Sequence, residues 1–170
     1  HIDVYGNYTN DGIQDGGNGA SDIYFVSSGA TIDGGGIIRN NGEVHIQADL
    51  TIKATAHLII EANTELIFDG AYTVTHNGTI AIHDNFNGFP GCSWVQGHNA
   101  ITKFGHISTP LNGGGTLDCS TNANTFTYDR NGNQDSLAPV TYHHLTIDIA
   151  TANKAARIKN NILVDIQNNQ

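Results

Sequence analysis

The stretch Glu43–Asp84, EVHIQADLTIKATAHLIIEANTELIFDGAYTVTHNGTIAIHD, sets apolar residues in pairs one residue apart: Val44 and Ile46, Leu50 and Ile52, Leu58 and Ile60, Leu66 and Phe68, Tyr72 and Val74, Ile80 and Ile82. Alternation of this kind describes strands with one buried face, and Val, Ile, Thr and Tyr suit a pleated surface. Val44 to Leu66, Leu50 to Tyr72 and Leu58 to Ile80 are equal steps, so three short strands recur in register. The joins between them, Gln47–Asp49, Lys53–His57 and Glu61–Glu65, contain no Asn-Gly or Gly-rich reversal. They therefore read as corners rather than hairpin turns. A chain that turns three corners and lays each strand on its predecessor one coil earlier is a parallel β-solenoid. The expected fold is all-β, a three-sided β-helix of about 22 residues per coil, each coil adding about 4.8 Å of height. Evenly spaced short strands also fit a β-sandwich, which is the alternative.

Outward from this block the pattern continues less regularly. Residues 1–85 read as the first coils, with Ile2 and Val4, Ile23 and Phe25, and Ile37 and Ile38 interrupted by the outward loops NDGIQDGGNGASD (10–22) and DGGG (33–36). Residues 86–118, FNGFPGCSWVQGHNAITKFGHISTPLNGGGTLD, hold two of the three prolines and the only Trp. They read as a long loop excursion. Residues 119–170 resume the coils at Phe126 and Tyr128, Val140 and Tyr142, and Leu145 and Ile147. Both ends run in open alternation, from Ile2 and through ILVDIQNNQ, whereas a solenoid needs covered terminal edges. Further coils are therefore expected to stack there, from the same parent protein or from identical subunits.

Composition agrees with a single domain over residues 1–170. Only 14% of residues are charged, Gly numbers 20 and Met is absent, a turn-rich β balance. A net charge of −9, with seven Lys and Arg dispersed along the chain, leaves no basic stripe for nucleic acid or an anionic membrane. No apolar run approaches the about 18 residues that a membrane span needs. Beginning at His1 without a charged-then-apolar leader, the chain reads as a piece of a longer product. Cys92 and Cys119, with the stretch 93–118 between them, are either buried thiols or, in a secreted protein, a disulfide.

The segment Asn124–Ile147, NTFTYDRNGNQDSLAPVTYHHLTI, resembles a repeat of large secreted surface proteins of the Bacteroidota, many of them cargo of the type 9 secretion system. That repeat reads Asn-Thr-Val-Thr-Tyr, a Gly/Asn turn, a Gln, then a Tyr-x-x-Leu-x-Ile strand. Asn124–Tyr128 match its opening, Asn131–Gln134 its turn, and Tyr142, Leu145 and Ile147 its strand. The following Gly-Ser-Gly-x-Lys-Thr is replaced here by IATANKAARIK, in which Lys154 alone agrees. The resemblance implies a β-solenoid in an extracellular, cell-surface setting, an adhesin-like or filament module without catalytic residues. An oxidising setting implies that Cys92 and Cys119 are bonded to each other. Asp135-Ser136-Leu137 is similar to the site such bacteria O-glycosylate, which implies a glycan on Ser136.

Phe86, Phe89, Trp94 and Phe104 gather aromatic surface on the excursion, either to bind a surface glycan or protein or to cap the stack. DRNGNQD places Asp129, Asn131, Asn133 and Asp135 at alternate positions, as at the start of a calcium loop. No bidentate Glu follows, so a Gly/Asn turn is favoured, and no other cofactor is expected. His143-His144 is placed in a strand, where neighbouring side chains diverge. Pectinase-like β-helix hydrolases and lyases resemble the chain in fold, and TNDGI (Thr9–Ile13), FGHIS (Phe104–Ser108) and Arg157-Ile158-Lys159 look like fragments of their signatures. Glycan hydrolysis needs two carboxylates about 5 to 9.5 Å apart, and no Asp-Asp pair occurs. The expected function is thus a non-enzymatic structural or adhesive module. The alternatives are a polysaccharide-active enzyme or a phage fibre segment.

Overall fold

The structure, a computed structural model, describes residues 1–17, 21–39, 42–132 and 136–148, and the backbone of 165–166. Strands follow one another around three sides. The first coil holds β1 (Ile2–Val4), β2 (Tyr8–Thr9) and β3 (Ile13–Asp15), and the second β4 (Ile23–Phe25), β5 (Ala30–Asp33) and β6 (Ile37–Arg39). The third holds β7 (Glu43–Ile46), β8 (Leu50–Ile52) and β9 (His57–Ile60), and the fourth β10 (Glu65–Phe68), β11 (Thr73–His76) and β12 (Thr79–Ile82). The fifth holds β13 (Phe86–Asn87), β14 (Ser93–Gln96) and β15 (Ile101–Phe104). Then come β16 (Thr116–Asp118), β17 (Thr125–Tyr128), β18 (Thr141–Tyr142), β19 (His144–Ile147) and β20 (Asp165–Ile166).

Each strand as far as β12 pairs with the strand three places on, and from β14 onward pairs join strands two places apart; every pairing described is parallel. β1-β4-β7-β10-β13 form the first sheet, β2-β5-β8-β11-β14-β16 the second, β3-β6-β9-β12-β15-β17-β19 the third, and β18-β20 a short fourth. Val44 lies beside Leu66 and Leu58 beside Ile80, which makes this a parallel β-solenoid of about 22 residues per coil. The strands are short because each is one side of a coil. Inward residues form continuous ladders, such as Ile23-Val44-Leu66-Phe86 in the first sheet and Ile60-Ile82-Phe104-Tyr128 in the third. All of these are buried. Corners are held between coils, where the Asp49 and Asn7 side-chain oxygens accept the amides of Thr73 (2.7 Å) and Thr31 (3.1 Å) of the next coil.

Three expectations change. In β11 the inward pair is Val74 and His76, aligned with Leu50 and Ile52. The step from Leu50 ends at Val74 rather than at Tyr72, which packs half-buried before the strand. A polar residue at an inward position concealed the register. Second, the stretch 86–118 is largely coil: β13 to β16 continue all three ladders, and the departure contracts to residues 105–115, which carry no strand. Third, the loop 10–22 contains β3.

Candidate functional site

The first coil is the end rung of all three sheets. Ile2, Val4 and Tyr8 stand in the columns of Ile23, Phe25 and Ile32, and Gln14 in that of Ile38. Their partners are buried, yet Ile2 is 40% exposed and Val4 and Tyr8 are half-buried. Tyr8 meets Phe25 edge-on at 5.6 Å, and burial raises its hydroxyl pKa. The rung thus presents an apolar lumen edge, ringed by the outward N–H and C=O groups of three parallel strands. Such an edge is a template for another strand.

A second assembly lies on the outer face of the first sheet, where sequence distance hid it. Tyr24 stacks flat on His45, with ring centroids 4.2 Å apart and planes 3° apart, and His1 covers Tyr24 at 4.3 Å. The Nδ1 of His45 lies 2.9 Å from both carboxylate oxygens of Asp69, which also accepts from Gln47 Nε2 at 2.7 Å. On the ring's other side Nε2 lies 2.8 Å from a Glu43 carboxylate oxygen, off the axis of a hydrogen bond. Glu43 and Asp69 therefore face one imidazole rather than an open gap. The pattern that could have found them is Glu-x-His in one strand and an Asp just past the matching strand one coil on.

The third assembly is inside. Beyond Ile32 and Ile52 the inward column of the second sheet turns polar, with His76 and Gln96 side by side. Gln96 Nε2 donates to Cys119 Sγ at 3.1 Å, and Cys119 bridges to Tyr142 in the next coil. Tyr142 donates to the Ala138 carbonyl at 3.0 Å and its oxygen lies 2.8 Å from that of Tyr128, which accepts the Ala138 amide at 2.8 Å. Burial pushes the Cys119 thiol up to about 12 and raises both tyrosines.

The expected disulfide is absent: Cys92 and Cys119 are both buried free thiols. Ser93 pairs with Thr116, which sets Cys92 opposite Gly115. Cys119 lies four residues further along that strand, about 13 Å at about 3.3 Å per residue. Bridged cysteines need Cα atoms within about 7 Å. Cys92 instead accepts the Phe89 amide at 3.3 Å and approaches the Gly114 carbonyl at 3.7 Å.

The loop aromatics also change place. Phe86, Trp94 and Phe104 are core, with Phe86 and Trp94 edge-to-face at 4.9 Å, and Phe89 alone of the four is exposed, at 42%. Ser136 is 6% exposed, so its hydroxyl is not open to a glycan as the chain stands folded, and Asp135 lies outside the described residues. Of the calcium candidates, Asn133 and Asp135 lie outside the described residues, while Asp129 faces His83 at 3.9 Å and raises its pKa through that contact. Asn131 follows it in the turn. Among the described residues no three His, Cys, Asp or Glu groups are placed to hold a metal ion. His143 occupies the corner between β18 and β19, so its ring meets that of His144 at 4.5 Å instead of diverging from it.

Asp11 and His106 do not converge. They flank β3 and β15, four strands apart in the third sheet, or about 19 Å at about 4.8 Å per strand. Asp11 accepts the Gly35 amide at 3.3 Å, and His106 Nδ1 lies 2.9 Å from Ser108 Oγ. Arg157-Ile158-Lys159 and Lys154 lie outside the described residues. Comparison of the chain with known protein families, curated proteins and solved structures finds no match.

Proposed function

We propose that the chain is a non-enzymatic structural or adhesive module of an extracellular surface protein or fibre, joined to further solenoid through its first coil. The observation that carries this reading is the end rung of β1, β2 and β3, with Ile2 exposed over a lumen whose next rung is closed. The partner it fits is another parallel coil, because three edges running the same way accept three strands in one register. With the disulfide gone, the extracellular setting and type 9 export draw their support from the resemblance of Asn124–Ile147 alone.

The purified chain should self-associate with rising concentration in sedimentation velocity, forming elongated species. Val4→Lys, which sets a charge on the rung, should return it to monomer with unchanged circular dichroism. A chain that stays monomeric at every concentration, with Val4→Lys making no difference, overturns the stacking. Incubation with pectin and alginate addresses the enzymatic alternative. Product release lost on Asp11→Asn or His106→Ala would replace the structural reading with a catalytic one.

A further inference from the structure

His76 is fully buried within the lumen. Its Nε2 lies 3.1 Å from the carbonyl of Ile101. A carbonyl only accepts, so Nε2 carries the hydrogen and Nδ1 is the lone-pair nitrogen. Nδ1 is buried without a partner, and so are Gln96 Oε1 and Thr102 Oγ1 nearby on β14 and β15. The Trp94 ring lies 5.4 Å from the imidazole.

Among the described residues no carboxylate stands inside to balance a charge on this ring. On β8 the neighbour is Ile52, and Lys53 beyond it is turned outward to Asp33 at 3.4 Å. On β15 Lys103 is exposed, and on β16 Asp118 is turned out to the Thr121 hydroxyl at 2.5 Å. The titratable groups further along the column are the Cys119 thiol and the Tyr142 hydroxyl, both neutral. A proton added to Nδ1 would create a fully buried cation with no carboxylate beside it, a state that the packed lumen disfavours.

We propose that the His76–Gln96–Cys119 column is an acid-released joint, which opens the coils from β11 to β16 and bares Cys119 when His76 takes up a proton. Burial holds the closed imidazole down from 6.5 to about 4, with the Ile101 carbonyl opposing only in part. The opened form takes its proton near the ordinary value. Between those two values the open form therefore holds more protons, and the closed form loses its advantage as pH falls. The closed form is fully favoured above about 6.5, and by about pH 4 the open population rises by about 100-fold or more.

The test labels the chain with a dipyridyl disulfide, which remains reactive in acid, at about pH 7 and about pH 4.5, assigning each thiol by peptide mass. Working at a concentration where the chain is monomeric keeps this result separate from end stacking. Cys119 labelling should accelerate tenfold or more in acid. His76→Leu, which copies the Ile52 environment, should remove that acceleration, and His76→Gln, neutral and able to donate to Ile101, should do the same if the leucine variant folds poorly. Equal acceleration in the histidine-free variants, or none in the native chain, would falsify the joint.

Discussion

Gly78 sits where two coils come close together at a corner. Extending the register of β9, β12 and β15 puts Ala56, Gly78 and Ala100 in one column. A methyl group is accepted above and below Gly78, but at Gly78 itself it would collide with the Lys53 carbonyl and come within 2.6 Å of the Ala56 carbonyl oxygen. Backbone cannot swing aside as a side chain can. Gly78→Ala should therefore destabilise by about 2 kcal/mol or more, while Ala100→Gly in the next rung should cost about 1 kcal/mol through chain entropy. Thermal melts of the two variants should show the larger fall for the conservative-looking one. A sequence reader has no means of telling these two positions apart, because the difference lies in how near another coil's carbonyl stands. The cysteines repeat this lesson. Their number and spacing admitted a bridge, and only the ladder, with Ser93 opposite Thr116, shows that they occupy distant points of neighbouring strands.

At the level of strands, apolar alternation was enough wherever both inward residues are aliphatic or aromatic. Val44 beside Leu66 and Leu58 beside Ile80 are as their spacing implies. The reading failed where inward positions are polar. His76 displaced the register by two residues, and the pairs Trp94 and Gln96, Thr102 and Phe104, and Leu117 and Cys119 made real strands look like loop. Neutral polar atoms are accepted at these inward positions, Gln96 with a bond to Cys119 and Thr102 without a partner for its hydroxyl. A full charge is a different matter. Leu66 is 3% exposed between Val44 and Phe86, and Leu66→Asp buries an unpaired charge. The loss should exceed about 4 kcal/mol, seen as missing β signal in circular dichroism, whereas Ile67→Asp on the outer face should leave the melt within about 1 kcal/mol of the native chain.

Over the whole molecule, each coil touches the one before and the one after, and no described strand reaches further. That arrangement made the architecture readable from one stretch, Glu43 to Asp84, since one repeat implies the next. It also explains why the surface assemblies were not readable. Tyr24, His45 and Asp69 meet through stacking of three successive coils, so nothing local in the sequence marks them. The same neighbour-only contact pattern has a mechanical consequence. A chain held by its two ends and stretched should not rupture at once but unwind like a spool, losing a terminal coil and leaving the remainder intact. Each event would free about 22 residues, lengthening the tether by about 70 Å at about 3.4 Å per residue less one rung. Optical-tweezer traces should therefore show a staircase of roughly equal steps, and a single rip covering the full contour would mean that the coils fail together.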